Sequence, residues 1–162
     1  MDRKEPSYPL QPRALIARAM TSGTFAGLAT TAAVALCSAR DGGSAVAPIN
    51  ATSHVLWGDE AGNADAVDVK HTVPGLLINA GAGVFWALVQ ELVLGSSRNP
   101  NRATAAASGA AVAAVAYVVD YHLIPRRLTP GWELRLPRRS VALAFVALGV
   151  TLGIAALLHP RR

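Results

Sequence analysis

Asp120 and His122 stand where a long apolar run stops, and five arginines, Arg126, Arg127, Arg135, Arg138 and Arg139, follow within seventeen residues of His122. Carboxylate and imidazole are donors for zinc, copper, iron or nickel. His54 and His71 flank other apolar stretches. The candidate metal set is therefore His54, His71, Asp120 and His122, with Asp59, Glu60 or Cys37 as further donors. No two of the histidines are spaced i, i+3 or i, i+4, so no established metal motif stands behind the set. The alternative is structural: Asp120 accepts a hydrogen bond from a histidine or tyrosine and fastens one end of the fold. Glu91 is the second acid in an apolar run. It is either the proton-carrying acid of a carrier or the salt-bridge partner of Arg98, Arg102 or Arg18.

The arginines also admit two readings. Beside a helix end they attract anionic lipid headgroups, at about 1 kcal/mol each near the surface. They also complement the stretch 38–71, where Asp41, Asp59, Glu60, Asp65 and Asp68 outnumber Arg40 and Lys70. Only Glu133 offsets the five arginines in their own loop. Lipid anchoring and loop docking are compatible.

The elements that must position these groups are four apolar segments, about Ala19–Cys37, Val73–Leu94, Ala103–Ile124 and Val141–Leu158. Each approaches the roughly 20 apolar residues a membrane-spanning helix needs. The chain is 52% hydrophobic and 15% charged, against about 25% charged in a typical soluble domain. Fourteen of the 15 basic residues lie outside the apolar stretches and the last, Arg18, sits at the start of one. This distribution is that of a membrane protein and argues against nucleic acid as a partner, despite the net charge of +5. The predicted fold is all-α, an integral membrane four-helix bundle. A basic cytoplasmic segment, 1–18, precedes it, and a polar loop, 38–72, follows the first span. A single cysteine excludes an intrachain disulfide. The basic start, apolar middle and Ala-Val-Ala of the first segment also fit a signal peptide, though the 18-residue basic stretch is long for one.

Small residues mark helix contacts in lipid. Gly23-x-x-x-Gly27, Gly149-x-x-x-Gly153 and the series Ala105, Gly109, Ala113 supply them. In the second segment Gly75, Asn79, Gly83, Ala87 and Glu91 recur every four residues and form one stripe. The stripe predicts that Asn79 and Glu91 face the interior. Asp120 shares its face with Ala116, Ala113, Gly109 and Ala106 and is predicted to point inward too, because a carboxylate in lipid costs at least about 2.5 kcal/mol. Trp57 and Trp132 are placed as interfacial anchors. Asn50-Ala51-Thr52 matches a glycosylation acceptor, but nothing else suggests a secreted eukaryotic chain.

Four spans put both chain ends and the 95–102 loop on one side, with eight basic residues against seven on the other. The basic start favours both ends in the cytoplasm. So weak a bias also suits a dual-topology protein that pairs antiparallel. Nucleophile, phosphate-loop and dinucleotide motifs are absent, as is an internal repeat.

The strings INATSHVLWGDEA (49–61), HTVPGLLINAGAGVFWALVQE (71–91) and VVDYHLIPRRLTPGWELRL (118–136) resemble a group of small four-span inner-membrane proteins of proteobacteria. The resemblance implies location and architecture and carries no activity. It falls on the polar stretches of one membrane side, which marks that side as the functional one. The expected function is that of a non-enzymatic scaffold or accessory subunit without a cofactor. Its partners would be the bilayer, anionic headgroups, and a second copy or another membrane protein. The alternative is a small transporter or metal-handling protein using Asp120, His71 and His122, or Glu91.

Overall fold

The computed structural model describes residues 11–94 and 100–158. They form helices without a strand among them: α1 (Pro12–Arg40), α2 (Ala47–Thr52), α3 (His54–Trp57), α4 (Thr72–Leu94), α5 (Arg102–Val118) and α6 (Arg138–Leu158). A π-helical turn, Val119–Leu123, prolongs α5. With that turn included, four helices are long and apolar enough to cross a membrane.

α1 starts seven residues before the apolar segment expected at Ala19 and runs for 29 residues. Pro12 occupies its first turn, where the missing N–H costs nothing and φ suits a helix. Pro12–Arg18, expected as a basic lead-in, is thus the first part of a helix. Hydrophobicity could not show this, because Arg13 and Arg18 interrupt the apolar pattern but not the helix. At the far end of α5 the helical run ends at Leu123, two residues before Pro125, and Ile124 between them is extended (ψ 156°).

Glycine sets how the helices meet. α1 packs on α4 and on α6, and α6 packs on α5, so α1 and α6 lie between the other two. A Cβ on Gly83 would stand 2.9 Å from the Gly27 amide nitrogen and would meet the Gly23 carbonyl. A Cβ on Gly109 would stand 2.8 Å from the Gly153 nitrogen and would fall on the Gly149 carbonyl. Backbones touch at both places.

The interior holds Trp86, Phe145, Leu148 and Leu152, but small and polar residues share it and many large apolar side chains face outward. Ala26, Ala87, Ala116 and Ala144 are buried, with Ser22, Thr30, Asn79, Gln90 and Glu91 beside them. Phe25, Leu36, Leu77, Phe85, Leu92, Val146 and Leu158 point outward, each more than half exposed. Of the face predicted for α5, Gly109, Ala113 and Ala116 are buried, whereas Ala106 is exposed. Ala106 lines an open groove of about 690 Å³ along α5 and α6 instead.

Candidate functional site

α2, α3, the 3-10 turn Asp59–Asn63 and the loop before α6 form a cap over one end of the bundle. Its centre is Asn50, 0% exposed. The Asn50 amide donates to the carbonyls of Ala64 (2.9 Å) and Ala66 (2.8 Å) and its oxygen accepts from the Thr72 hydroxyl (2.7 Å). A group so enclosed is closed to glycosylation. Gly75 admits this packing, since a Cβ there would be 3.0 Å from the Ile49 carbonyl carbon.

His54 is 1% exposed, and its Nε2 lies 2.8 Å from the Thr129 carbonyl. A carbonyl only accepts, so Nε2 carries the hydrogen and donates it. Nδ1 is buried without a hydrogen-bond partner among the described residues, and the Asp59 carboxylate lies 3.8 Å away. Gly131 makes the contact between loop and cap. Its φ of +79° is open to glycine, and a Cβ would come 2.8 Å from the His54 ring. The same turn drives Trp132 inward. Trp132 is 4% exposed, donates to the Thr52 hydroxyl (3.1 Å) and packs on Phe145. It is not the interfacial anchor expected of it, because a left-handed glycine reverses the chain just before it. Trp57, 43% exposed, donates to the Lys70 carbonyl at 2.9 Å.

Four of the five loop arginines meet the acidic stretch. Arg127 donates to the carbonyls of Val55 (2.9 Å) and Leu56 (2.8 Å), at the C-terminal end of α3 where carbonyls lack helical partners. Arg135 reaches the Gly62 carbonyl (2.8 Å) and Asp65. Arg126 pairs with Asp59 (3.2 Å) and Arg139 with Asp41 (3.7 Å). Arg138 is exposed and has no such partner among the described residues. The exposed pairs contribute little, about 0–1 kcal/mol each, so Arg127 and Arg135, which satisfy backbone carbonyls, hold the loops together.

The four candidate metal ligands stand apart. His54 is committed to Thr129. His71 Nδ1 bonds Asp68 at 2.9 Å, and the Asp68 carboxylate also accepts the His71 amide (2.7 Å). Thr72 accepts the Asp68 amide in return (3.0 Å), which ties this turn to the start of α4. The side-chain hydrogen bond from His71 holds the Asp68 carboxyl below the ordinary carboxylate range. His122 is exposed, edge-on to Tyr117 at 5.7 Å. Among the described residues no three of His, Cys, Asp and Glu come together as a metal would require.

Asp120 goes elsewhere. It is partly buried and lines a cavity of about 80 Å³ beneath the cap, together with Thr30, Asn79, Trp86, Trp132 and Phe145. α1, α2, α4, the π turn, α6 and the loop before α6 each give a wall. Asp120 makes no hydrogen bond or ion pair with a described residue. Asn79 is fixed by its amide, which donates to the Gly27 carbonyl (2.9 Å) and to the hydroxyls of Thr31 (2.7 Å) and Thr30 (3.0 Å). At the opposite end Glu91 is 4% exposed and partnered. Arg98 lies outside the described residues. Gln90, 2% exposed, donates to the Leu152 carbonyl at 2.7 Å. Gln90 and Trp86 were missed in the sequence, although Asn79, Gly83, Trp86 and Gln90 follow the helical period and mark the same buried face.

The chain matches no family model, and comparison with curated proteins and with solved structures finds no similar protein.

Proposed function

We propose that the chain is a multi-pass protein of a bacterial inner membrane, of the small four-span kind its polar strings resemble, and that it acts without catalysing a reaction. The supporting observation is the outward placement of large apolar side chains on all four long helices, around a core in which alanine, glycine and polar groups stand beside buried Trp86, Phe145, Leu148 and Leu152. Lipid is the solvent that makes this arrangement favourable. The cap then serves as a fixed platform on one face, in the manner of a scaffold or accessory subunit. Its charged groups largely hold each other, and it shows Leu56, Trp57, Val67 and Val69 at its surface. Alkaline carbonate washing of membranes tests the insertion. The protein should stay in the pellet, and release into the supernatant overturns the reading.

A second reading is favoured by one observation, the placement of Asp120 in a chamber without a counter-ion. A bundle of this kind is a binder or carrier of a small ligand. Sidedness bears on both readings. A single cysteine at Val69, 81% exposed, in a Cys37→Ser background should react with an impermeant thiol reagent on intact cells if the cap is periplasmic. Reaction only after cell breakage puts the cap in the cytoplasm.

A further inference from the structure

The chamber beneath the cap has the chemistry of a site for a small cation. Its charged lining group is the Asp120 carboxylate, and among the described residues no lysine, arginine or histidine shares the walls. A second acceptor is under-used. The Asn79 oxygen has one contact, the Thr30 hydroxyl at 3.4 Å, and that hydroxyl is already committed to the Gly27 carbonyl at 2.9 Å. Asn79 is 9% exposed, so bulk water does not readily satisfy that oxygen. The remaining walls include three aromatic rings, Trp86, Trp132 and Phe145, with the last two 5.8 Å apart between centroids. Acceptor oxygens and aromatic faces both attract cations, and desolvation strengthens the attraction to the rings. Divalent metals suit the chamber poorly, because they favour several carboxylate or imidazole donors and it offers one carboxylate. The volume, about 80 Å³, is that of a few waters.

The geometry points to a binding site for a compact organic ammonium ion, its N–H groups on Asp120 and the Asn79 oxygen and its carbon against the aromatic walls. This inference rests on the second reading above and names the ligand class for it.

Two of the chain's three tryptophans line the chamber, so the protein carries its own reporter. The full-length Trp57→Phe protein, in nanodiscs of neutral lipid at pH 8, would be titrated with methylammonium chloride against sodium chloride at equal ionic strength. The expected result is a saturable change in tryptophan fluorescence with methylammonium alone. It should weaken about tenfold or more in Asp120→Asn and return in part in Asp120→Glu. Near-ultraviolet circular dichroism confirms that each variant is folded. If Asp120→Asn fails to fold, Asn79→Leu, expected to weaken binding, takes its place. No saturable change, an equal change with sodium, or a change insensitive to both substitutions overturns the site. Uptake of labelled methylammonium into proteoliposomes is measured separately. Saturable binding without uptake keeps the site and ends the carrier reading, whereas absence of binding ends the site.

Discussion

Two helix pairs meet through glycine, α1 with α4 at Gly23, Gly27 and Gly83, and α5 with α6 at Gly109, Gly149 and Gly153. The backbone approach is alike, but what surrounds it differs. Asn79 crosses the first seam and donates to three acceptors on α1. The second seam has no such side-chain bridge among the described residues, and its outer side opens into the groove of about 690 Å³. The first is therefore held by shape and polarity together, the second by shape alone. Shape packs two helices at a distance; a buried amide also fixes their register, because it can reach its acceptors in only one of several sliding positions.

The largest effects should come from removing shape on either side of this comparison. Gly83→Leu and Gly109→Leu each push a side chain into a neighbouring backbone. Each should cost more than the ~1–3 kcal/mol usual for overpacking, and the folded yield in detergent should collapse for both. Gly81→Ala is the control. A Cβ there would meet no described atom within 4 Å beyond its own stretch of helix, and thermal unfolding should be unchanged or slightly improved. Asn79→Ala separates the seams. It should lower stability by about 1–2 kcal/mol in reversible unfolding, near what interhelical hydrogen bonds are worth in membranes, while Ser108→Ala on α5, whose hydroxyl bonds its own helix, should stay within about 0.5 kcal/mol.

A smaller and more local effect is expected in the cap. Arg127→Ala removes the bonds to the Val55 and Leu56 carbonyls and should cost about 1.5–3 kcal/mol. It should also speed amide exchange in 54–58. Arg126→Ala, which removes only an exposed ion pair, should change little by the same measurement. The least effect concerns acidity. Asp68 has a lowered pKa when folded, so its contribution is present above the unfolded value of about 3.9 and is lost as pH falls through the folded one. Melting between pH 5 and pH 3 should show a small loss of stability, and His71→Ala should flatten it.

Much of this architecture was legible in the residues. The four apolar segments are visible because a helix in lipid needs a long unbroken run, a coarse signal that survives ignorance of packing. The stripe from Gly75 to Glu91 was legible for the same reason, being a period within one helix. The chamber was not, because it joins residues from four helices, the π turn and a loop, and no periodicity links Thr30 to Asp120 or Trp132. Trp132 was misplaced because its direction depends on the backbone of Gly131 and not on its own neighbourhood of arginines. The histidines look like a set in the chain but are separated in space, since each has a nearer partner: Thr129 for His54, Asp68 for His71, Tyr117 for His122.

The long helices are unequal, with 29 residues in α1 against 23 in α4 and 21 in α6. At about 1.5 Å per residue α1 exceeds α6 by roughly 12 Å. A bilayer core of about 30 Å matches α6 but leaves a surplus on α1. The end of α1 lies beside the start of α6, where Asp41 faces Arg139, so the surplus emerges at the opposite end, where Arg13 and Arg18 stand. In a bilayer the surplus would lean or protrude there, and a thicker one would draw more of it into hydrocarbon. In a bilayer the molecule would thereby adjust to membrane thickness at one end only, with its cap as the fixed datum.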